Sequence, residues 1–316
     1  MIRYPLVASF VVPCLFGALA GTVPVRAQSL PDEGSPAVPA IEPAQPAEPV
    51  VPAGFTSKPR WEIGIGGGYL SSFDYPGSSD PNRRGIALPF VVYRSPVLRL
   101  GDGGLRAVAV ERARLKVDVS FGGGLSSSAE SDGVREGLPQ LDFLFEVGPR
   151  AQLVFLDRAM PDGGRWQLSG SAALRYVAST DFSSLEGRGV LGELGLGAVR
   201  RRVAGSRFDL LARLNAVLAE DRLHEYFYSV EPRYATPGRP AFDAGSGYLG
   251  TDLFVGAAYR PTPRVRLFAG VVQSLNGGAA NRASPLFETG EATSFALGFA
   301  WTLVQSDERV QVVDVP

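Results

Sequence analysis

From Trp61 to Leu303 apolar and polar residues alternate with a period of two, in runs separated by clusters of Gly, Pro, Asn, Asp and Ser. The clearest run is Leu141-Phe143-Phe145-Val147-Pro149-Ala151-Leu153-Phe155, with Asp142, Glu146, Arg150 and Gln152 between its members. A helix repeats its apolar face every three or four residues, whereas successive side chains of a strand point to opposite faces, so strict alternation predicts strands. Further stripes are Trp61-Ile63-Ile65, Leu115-Val117-Val119-Phe121, Trp166-Leu168-Gly170-Ala172-Leu174-Tyr176, Phe208-Leu210-Ala212-Leu214-Ala216-Leu218 and Phe295-Leu297-Phe299-Trp301-Leu303. One face of each stripe is apolar; the other is charged or small.

Strand length decides which way the apolar face points. Strands of soluble proteins usually run about five or six residues. These run roughly 10 to 14, the length of a tilted strand that crosses a membrane. Trp61, Tyr69, Trp166, Tyr176, Tyr259 and Trp301 stand near stripe ends, where interfacial aromatic girdles lie. The pattern predicts an all-β chain, a single antiparallel transmembrane β-barrel over residues 59–304; a secreted soluble β-protein is the alternative.

Connection lengths refine the count. Alternation alone gives eleven strands, but single-chain bacterial barrels have even numbers, short periplasmic turns and long external loops. Splitting the region 84–100 at Tyr93-Arg94-Ser95-Pro96 adds a very short strand, Val97 to Leu100, and gives twelve. The polar stretches 126–139, 179–188, 220–247 and 276–289 then all become external, and both termini face the periplasm. With the short segment left as a loop, the barrel has ten strands.

The ends of the chain read differently. Residues 1–27 have a single Arg3, an apolar run from Leu6 to Ala20 and a small-residue ending Val25-Arg26-Ala27, the pattern of a cleaved export signal. The only cysteine, Cys14, lies within it, so the mature chain is expected to have neither disulfide nor thiol chemistry. Residues 28–58 are dominated by Pro and Ala without apolar periodicity. They predict a disordered, extended periplasmic arm, whose stretch 31–53 alone spans about 70 Å when fully extended. Residues 305–316 are expected to be a periplasmic tail.

Charge removes one class of function. With 31 Lys+Arg against 32 Asp+Glu there is no basic excess for nucleic acid. The sole histidine, His224, stands beside Glu225 and near Ser229, the minimal set for a hydrolase, but no nucleophile motif accompanies it; a solvated loop histidine is expected and no catalytic residue assigned. One histidine, no mature cysteine and no dense carboxylate spacing give no metal site and no cofactor.

The charges on the polar faces carry more information. Glu62, Lys116, Asp118, Glu146, Arg150, Arg175, Glu193, Asp209, Arg213, Arg264 and Arg266 are expected to line the lumen. Both signs occur, which fits a self-neutralising structural lattice or a narrow hydrated pore.

Several segments resemble the MltA-interacting protein/OmpV family over about residues 60–304. The opening pair GIGGGYLSSFDYPGSSD and ALPFVVYRS carries part of the likeness, and YFYSVEPRYATPGRPAFDAGSGY and SLNGGAANRASPLFE carry more, with Pro237, Gly238, Asp243, Gly245, Ser284 and Pro285 in expected external loops. The chain departs at its end, where FAWTLV is followed by QSDERVQVVDVP instead of a closing aromatic residue. The resemblance implies an outer-membrane barrel in contact with lipid and lipopolysaccharide, and a scaffold between a lytic transglycosylase and a peptidoglycan synthase. It implies for other members a porin-like channel or an adhesin, and it brings no catalytic residue.

Overall fold

A computed structural model describes residues 55–94, 98–100, 106–111, 114–124 and 133–313. It contains a ribbon strand β1 (Phe55–Pro59), then the wall strands β2 (Trp61–Phe73), β3 (Pro81–Arg94), β4 (Leu98–Leu100), β5 (Arg106–Glu111), β6 (Leu115–Gly124), β7 (Phe143–Ala159), β8 (Arg165–Thr180), β9 (Leu185–Arg201), β10 (Phe208–Ala219), β11 (Gly247–Thr262), β12 (Val265–Leu275) and β13 (Glu291–Gln305), and finally β14 (Arg309–Val313). The strands β2 to β13 pair with their neighbours in chain order, all antiparallel, and β13 returns to β2 to close a twelve-stranded barrel. The very short strand of the expected split is present as β4, held between Arg94 of β3 and Arg106 of β5.

The barrel is apolar on the outside and polar within. Leu174, Leu194 and Leu196 are 57%, 60% and 57% exposed, while Gln167, Ser169 and Asp118 on the inner face are 1%, 2% and 3% exposed. Such an arrangement is stable only when hydrocarbon covers the outer face, because backbone groups are satisfied within a closed sheet. On β8, Trp166 and Tyr176 bracket the outward residues ten positions apart, about 33 Å along the strand and about 25 Å after a tilt of roughly 40°, the height of a bilayer's apolar band. Glycine lets the inner wall pack closely: a Cβ at Gly270 would lie 2.5 Å from the Phe254 ring and one at Gly148 2.0 Å from the Leu174 carbonyl oxygen.

Link lengths differ by end with one exception: β8 and β9 are joined at the long-loop end by 181–184 alone, because most of the expected loop 179–188 is strand. The connections 160–164, 202–207 and 263–264 are short, and 133–142, 220–246 and 276–290 stand at the opposite end. At the short-turn end β1 pairs with β14 from Phe55↔Val313 to Pro59↔Arg309. The Arg60 N–H donates to the Glu308 carbonyl at 2.8 Å, and the Arg60 guanidinium grips the Glu308 carboxylate at 2.7 Å.

This ribbon corrects one expected boundary. Residues 55–58 belong to a strand and not to the Pro/Ala arm, and within the expected tail Arg309–Val313 is the strand that pairs with them. The physical reason is the alternation in RVQVV, which supplies a ladder for FTSKP. The expected export signal and residues 28–54 of the expected arm lie outside the described residues.

Candidate functional site

The link between β10 and β11 folds back into the mouth of the barrel. It begins with a helix, α1 (Asp221–Tyr228), entered from extended Glu220 and carrying Asp221 in its first turn, where the helix dipole favours an acid. Leu223, His224, Phe227 and Tyr228 fall on one face because they are spaced four apart in pairs, and all four are buried. They pack against the inward residues at the ends of the wall strands, Leu144, Val177, Leu191, Ala219 and Leu249, with Tyr75 from the β2–β3 link. The main hydrophobic cluster of this protein is therefore a plug inside one mouth.

Buried polar groups in the plug are satisfied by neighbouring loops. The Tyr75 hydroxyl donates to the Leu286 carbonyl and the Tyr228 hydroxyl to the Pro76 carbonyl, both at 2.7 Å. The Ser284 hydroxyl donates to the Tyr228 carbonyl at 2.6 Å. Burial pushes both tyrosine pKa values up, so these hydroxyls stay protonated donors. Arg135 adds a cation over the Tyr75 ring, 5.5 Å from its centroid.

His224 is wholly buried, which corrects the expected solvated loop histidine. Its Nδ1 lies 2.8 Å from the Asn281 side-chain amide and its Nε2 3.2 Å from the Gly247 carbonyl. An amide N–H can only donate and a carbonyl can only accept, so Nδ1 is the acceptor and Nε2 carries the proton. Both nitrogens are thus committed. The Ser229 hydroxyl accepts the Ala244 N–H at 3.0 Å, and Glu225 is exposed, so the three residues make no nucleophile–base–orienter chain.

The loop residues of the family resemblance divide in two. Ser284 is buried in the plug, and Gly245, exposed at its edge, is tied to it by the Asn281 side chain, which accepts the Gly245 N–H at 3.0 Å and donates to its carbonyl at 2.6 Å. Pro237 and Gly238 are on the surface, in a turn closed by Thr236 and Arg239, and Asp243 is exposed. Arg239 pins this turn to the neighbouring loop through the Val134 and Glu136 carbonyls at 2.8 and 2.7 Å. Gly238 and Pro285 border a cavity of about 250 Å³ between them.

Below the plug the inner wall carries charge pairs within a strand or between adjacent strands. Arg175 donates through Nη1 to Glu146 at 3.1 Å and to Glu193 at 3.3 Å, joining three adjacent strands. Lys116 meets Asp118 at 3.2 Å, Arg94 meets Glu62 at 2.6 Å, and Arg260 meets Asp209 at 2.6 Å. Arg150 and Arg213 also stand at inward positions, half-buried. Two expected lumen residues fall elsewhere: Arg264 is exposed in the turn after β11, and Arg266 is exposed at the rim although its register is inward. An irregular step in the β11–β12 register between Tyr259 and Thr262 ends the regular ladder before these positions. Sequence reasoning missed Arg94, Asn215 and Asp252; Asn215 shares the parity of Arg213 and was legible, whereas Arg94 looked like a turn residue.

Among solved structures, the fold is similar to the CymD monoaromatic hydrocarbon channel (TM-score 0.32, 10% identity, 78% of this chain and 89% of that chain). It is also similar to the outer membrane protease OmpT from Escherichia coli (TM-score 0.25, 10% identity, 79% and 96%) and to the in-vitro folded outer membrane protein OmpT of Vibrio cholerae (TM-score 0.25, 10% identity, 77% and 98%). These likenesses are too loose to carry residue roles across. No curated protein matches the chain. The family described as MltA-interacting protein MipA matches residues 63–303, nearly the whole barrel, and the chain belongs to that family of outer-membrane β-barrel proteins.

Proposed function

We propose that this barrel is a non-enzymatic docking platform whose short-turn end faces the periplasm and holds peptidoglycan-processing enzymes, first a lytic transglycosylase of the kind the family's name specifies. The observation that carries the reading is the β1–β14 ribbon, which gathers both ends of the barrel at the short-turn face and fixes where the preceding segment, residues 28–54, departs. The plug and the paired lumen charges support binding over transport. Proline-rich segments bind at low ordering cost, which suits residues 28–54 to a partner-docking role.

The test is capture of purified lytic transglycosylase by the detergent-solubilised protein, with and without residues 28–54. Capture lost with the deletion supports the reading, and capture by neither form overturns it. Orientation is tested separately in a Cys14→Ala background, where Pro237→Cys is expected to react with an impermeant maleimide on intact cells and Asp307→Cys is not.

A second reading, a small-solute channel, draws on two inner-wall atoms, Arg150 Nε and Asn215 Oδ1, which are buried without a hydrogen-bond partner. Groups of this kind are satisfied by water. Steady single-channel openings of the intact protein in a planar bilayer would favour this reading over docking.

A further inference from the structure

The two edges of the β1–β14 ribbon are not alike. The Arg60 N–H donates to the Glu308 carbonyl, and this pair continues the register in which Phe55 faces Val313 and Pro59 faces Arg309. Hydrogen-bonded and non-hydrogen-bonded positions alternate along an antiparallel pair. The backbone groups of Thr56 and Lys58 therefore point at Val312 and Val310, while those of Phe55, Ser57 and Pro59, and of Arg309, Gln311 and Val313, point away from the ribbon. On β1 these outward positions are capped. Pro59 has no N–H, its carbonyl accepts Arg94 Nη1 at 2.9 Å, and the Ser57 carbonyl accepts Arg309 Nη1 at 3.4 Å. The outer edge of β14 has no such caps. Among the described residues β14 pairs with β1 alone, and no hydrogen bond reaches the outward amide or carbonyl of Arg309, Gln311 or Val313.

The place of this edge in the barrel leaves room for one more strand. β12 is the neighbour of β13 on that side, and it begins where Val265 faces Trp301 and the Arg264 carbonyl accepts the Thr302 N–H at 2.8 Å. Beyond that point the chain runs through β13 into β14 with no strand beside it among the described residues. Unpaired amides and carbonyls that recur at every second residue, about 7 Å apart, are matched by another extended backbone. Arg264 and Arg266, exposed at the start of β12, border the gap and outnumber exposed Asp307, so acidic side chains on the incoming strand are favoured. A second copy of this chain would bring the same two arginines against them.

We infer that the outer edge of β14 is a strand-addition site, at which an extended, acidic segment of the partner enzyme pairs with Arg309, Gln311 and Val313. The inference rests on the docking reading given above and names the surface that orders the partner. A two-stranded ribbon is marginal in water, and a third strand stabilises it, so binding and ordering of the ribbon reinforce each other.

Residue-resolved amide exchange and capture, both with the detergent-solubilised full chain and purified lytic transglycosylase, test the site. Adding the enzyme is expected to slow exchange at Arg309, Gln311 and Val313 from the rate of free amides. Gln311→Pro removes one outward donor and leaves the bonds of Val310 and Val312 to β1 in place. It is expected to weaken capture about tenfold, whereas Ser57→Pro, the same change on the capped edge, leaves capture unaltered. Should Gln311→Pro fail to fold, the exchange measurement on the wild type decides alone. Capture by the wild type with unchanged exchange at the three amides, or equal capture by Gln311→Pro and Ser57→Pro, overturns the edge and leaves the docking reading standing. Slow exchange at these amides without enzyme, lost on dilution, assigns the edge to a second copy and overturns the partner. No capture by the wild type removes the docking reading and the edge together.

Discussion

His224 accepts a hydrogen bond from Asn281 inside the plug, and Asn281 in turn holds both backbone groups of Gly245. One imidazole therefore joins the β10–β11 and β12–β13 links. Burial lowers its pKa from the ordinary value of 6.5. The folded protein consequently binds fewer protons here than the unfolded chain does as pH falls through that value. The sign follows: the contribution is complete above about pH 6.5 and is lost as pH falls toward the folded pKa, because a second ring proton would face the Asn281 amide donor. Proteolysis of the 220–246 link is expected to accelerate between about pH 7.5 and about pH 5, and His224→Asn is expected to flatten that dependence. A wild-type rate that is flat across the range refutes it.

Arg175 is the residue whose loss the lumen tolerates least. Among the described residues its guanidinium is the cation at ion-pair distance of both Glu146 and Glu193, which are largely buried on the inner wall. Removing one member of a buried charge set leaves the remainder uncompensated, at about 3–5 kcal/mol. Arg175→Leu is expected to lower the barrel's unfolding free energy, read from urea titration, by that order and Arg175→Lys by less, while Arg264→Ala, exposed in a turn, changes it by less than about 0.5 kcal/mol. Equal midpoints for Arg175→Leu and Arg264→Ala would remove the lattice from the account of stability.

The wall was legible because period-two alternation is a one-dimensional record of which side each residue faces, and Leu174 outside and Glu193 inside obey it. Loop parity recovered β4, whose three residues are too short to show alternation. The plug was not legible as a plug. Leu223, His224, Phe227 and Tyr228 do show helical spacing, but eight residues amid polar sequence read as a loop, and their burial depends on wall residues far away in the chain. The ribbon was missed for a related reason: β1 and β14 are separated by the entire barrel, so neither segment contains the partner that makes it a strand.

The ribbon makes a prediction of its own. In β1 Thr56, Ser57 and Lys58 stand opposite Val312, Gln311 and Val310 of the C-terminal strand, and the ladder hydrogen bonds of this segment run to that strand. Ending the chain after Ser306 removes all of these partners and the carboxylate held by Arg60. Hydrogen exchange at residues 56–58 is expected to rise to the rate of an unstructured peptide, with exchange in β8 and β9 unchanged. Protection of 56–58 that survives the truncation would mean the ribbon is not what orders them.

The plug decides whether the barrel conducts. Ala219 and Leu249, on the strands that lead into and out of the 220–246 link, are part of the buried cluster, so the link is anchored at both ends inside the mouth. Tyr228, fully buried, is its centre: its hydroxyl reaches Pro76 and its ring packs edge-on to Tyr75 at 6.2 Å. Replacing residues 222–245 by a short Gly/Ser link removes α1 and leaves the wall pairing of β10 with β9 and β11 in place. Intact protein is expected to be silent in a planar bilayer and the shortened form to conduct, with cation and anion permeabilities set by the lumen set around Arg175. Tyr228→Ala should give an intermediate result, brief openings, since losing a large buried aromatic costs about 3–5 kcal/mol but leaves the link in place. Conductance of the intact protein equal to that of the shortened form would show that the plug does not seal the mouth, and the docking reading would lose the support it draws from closure.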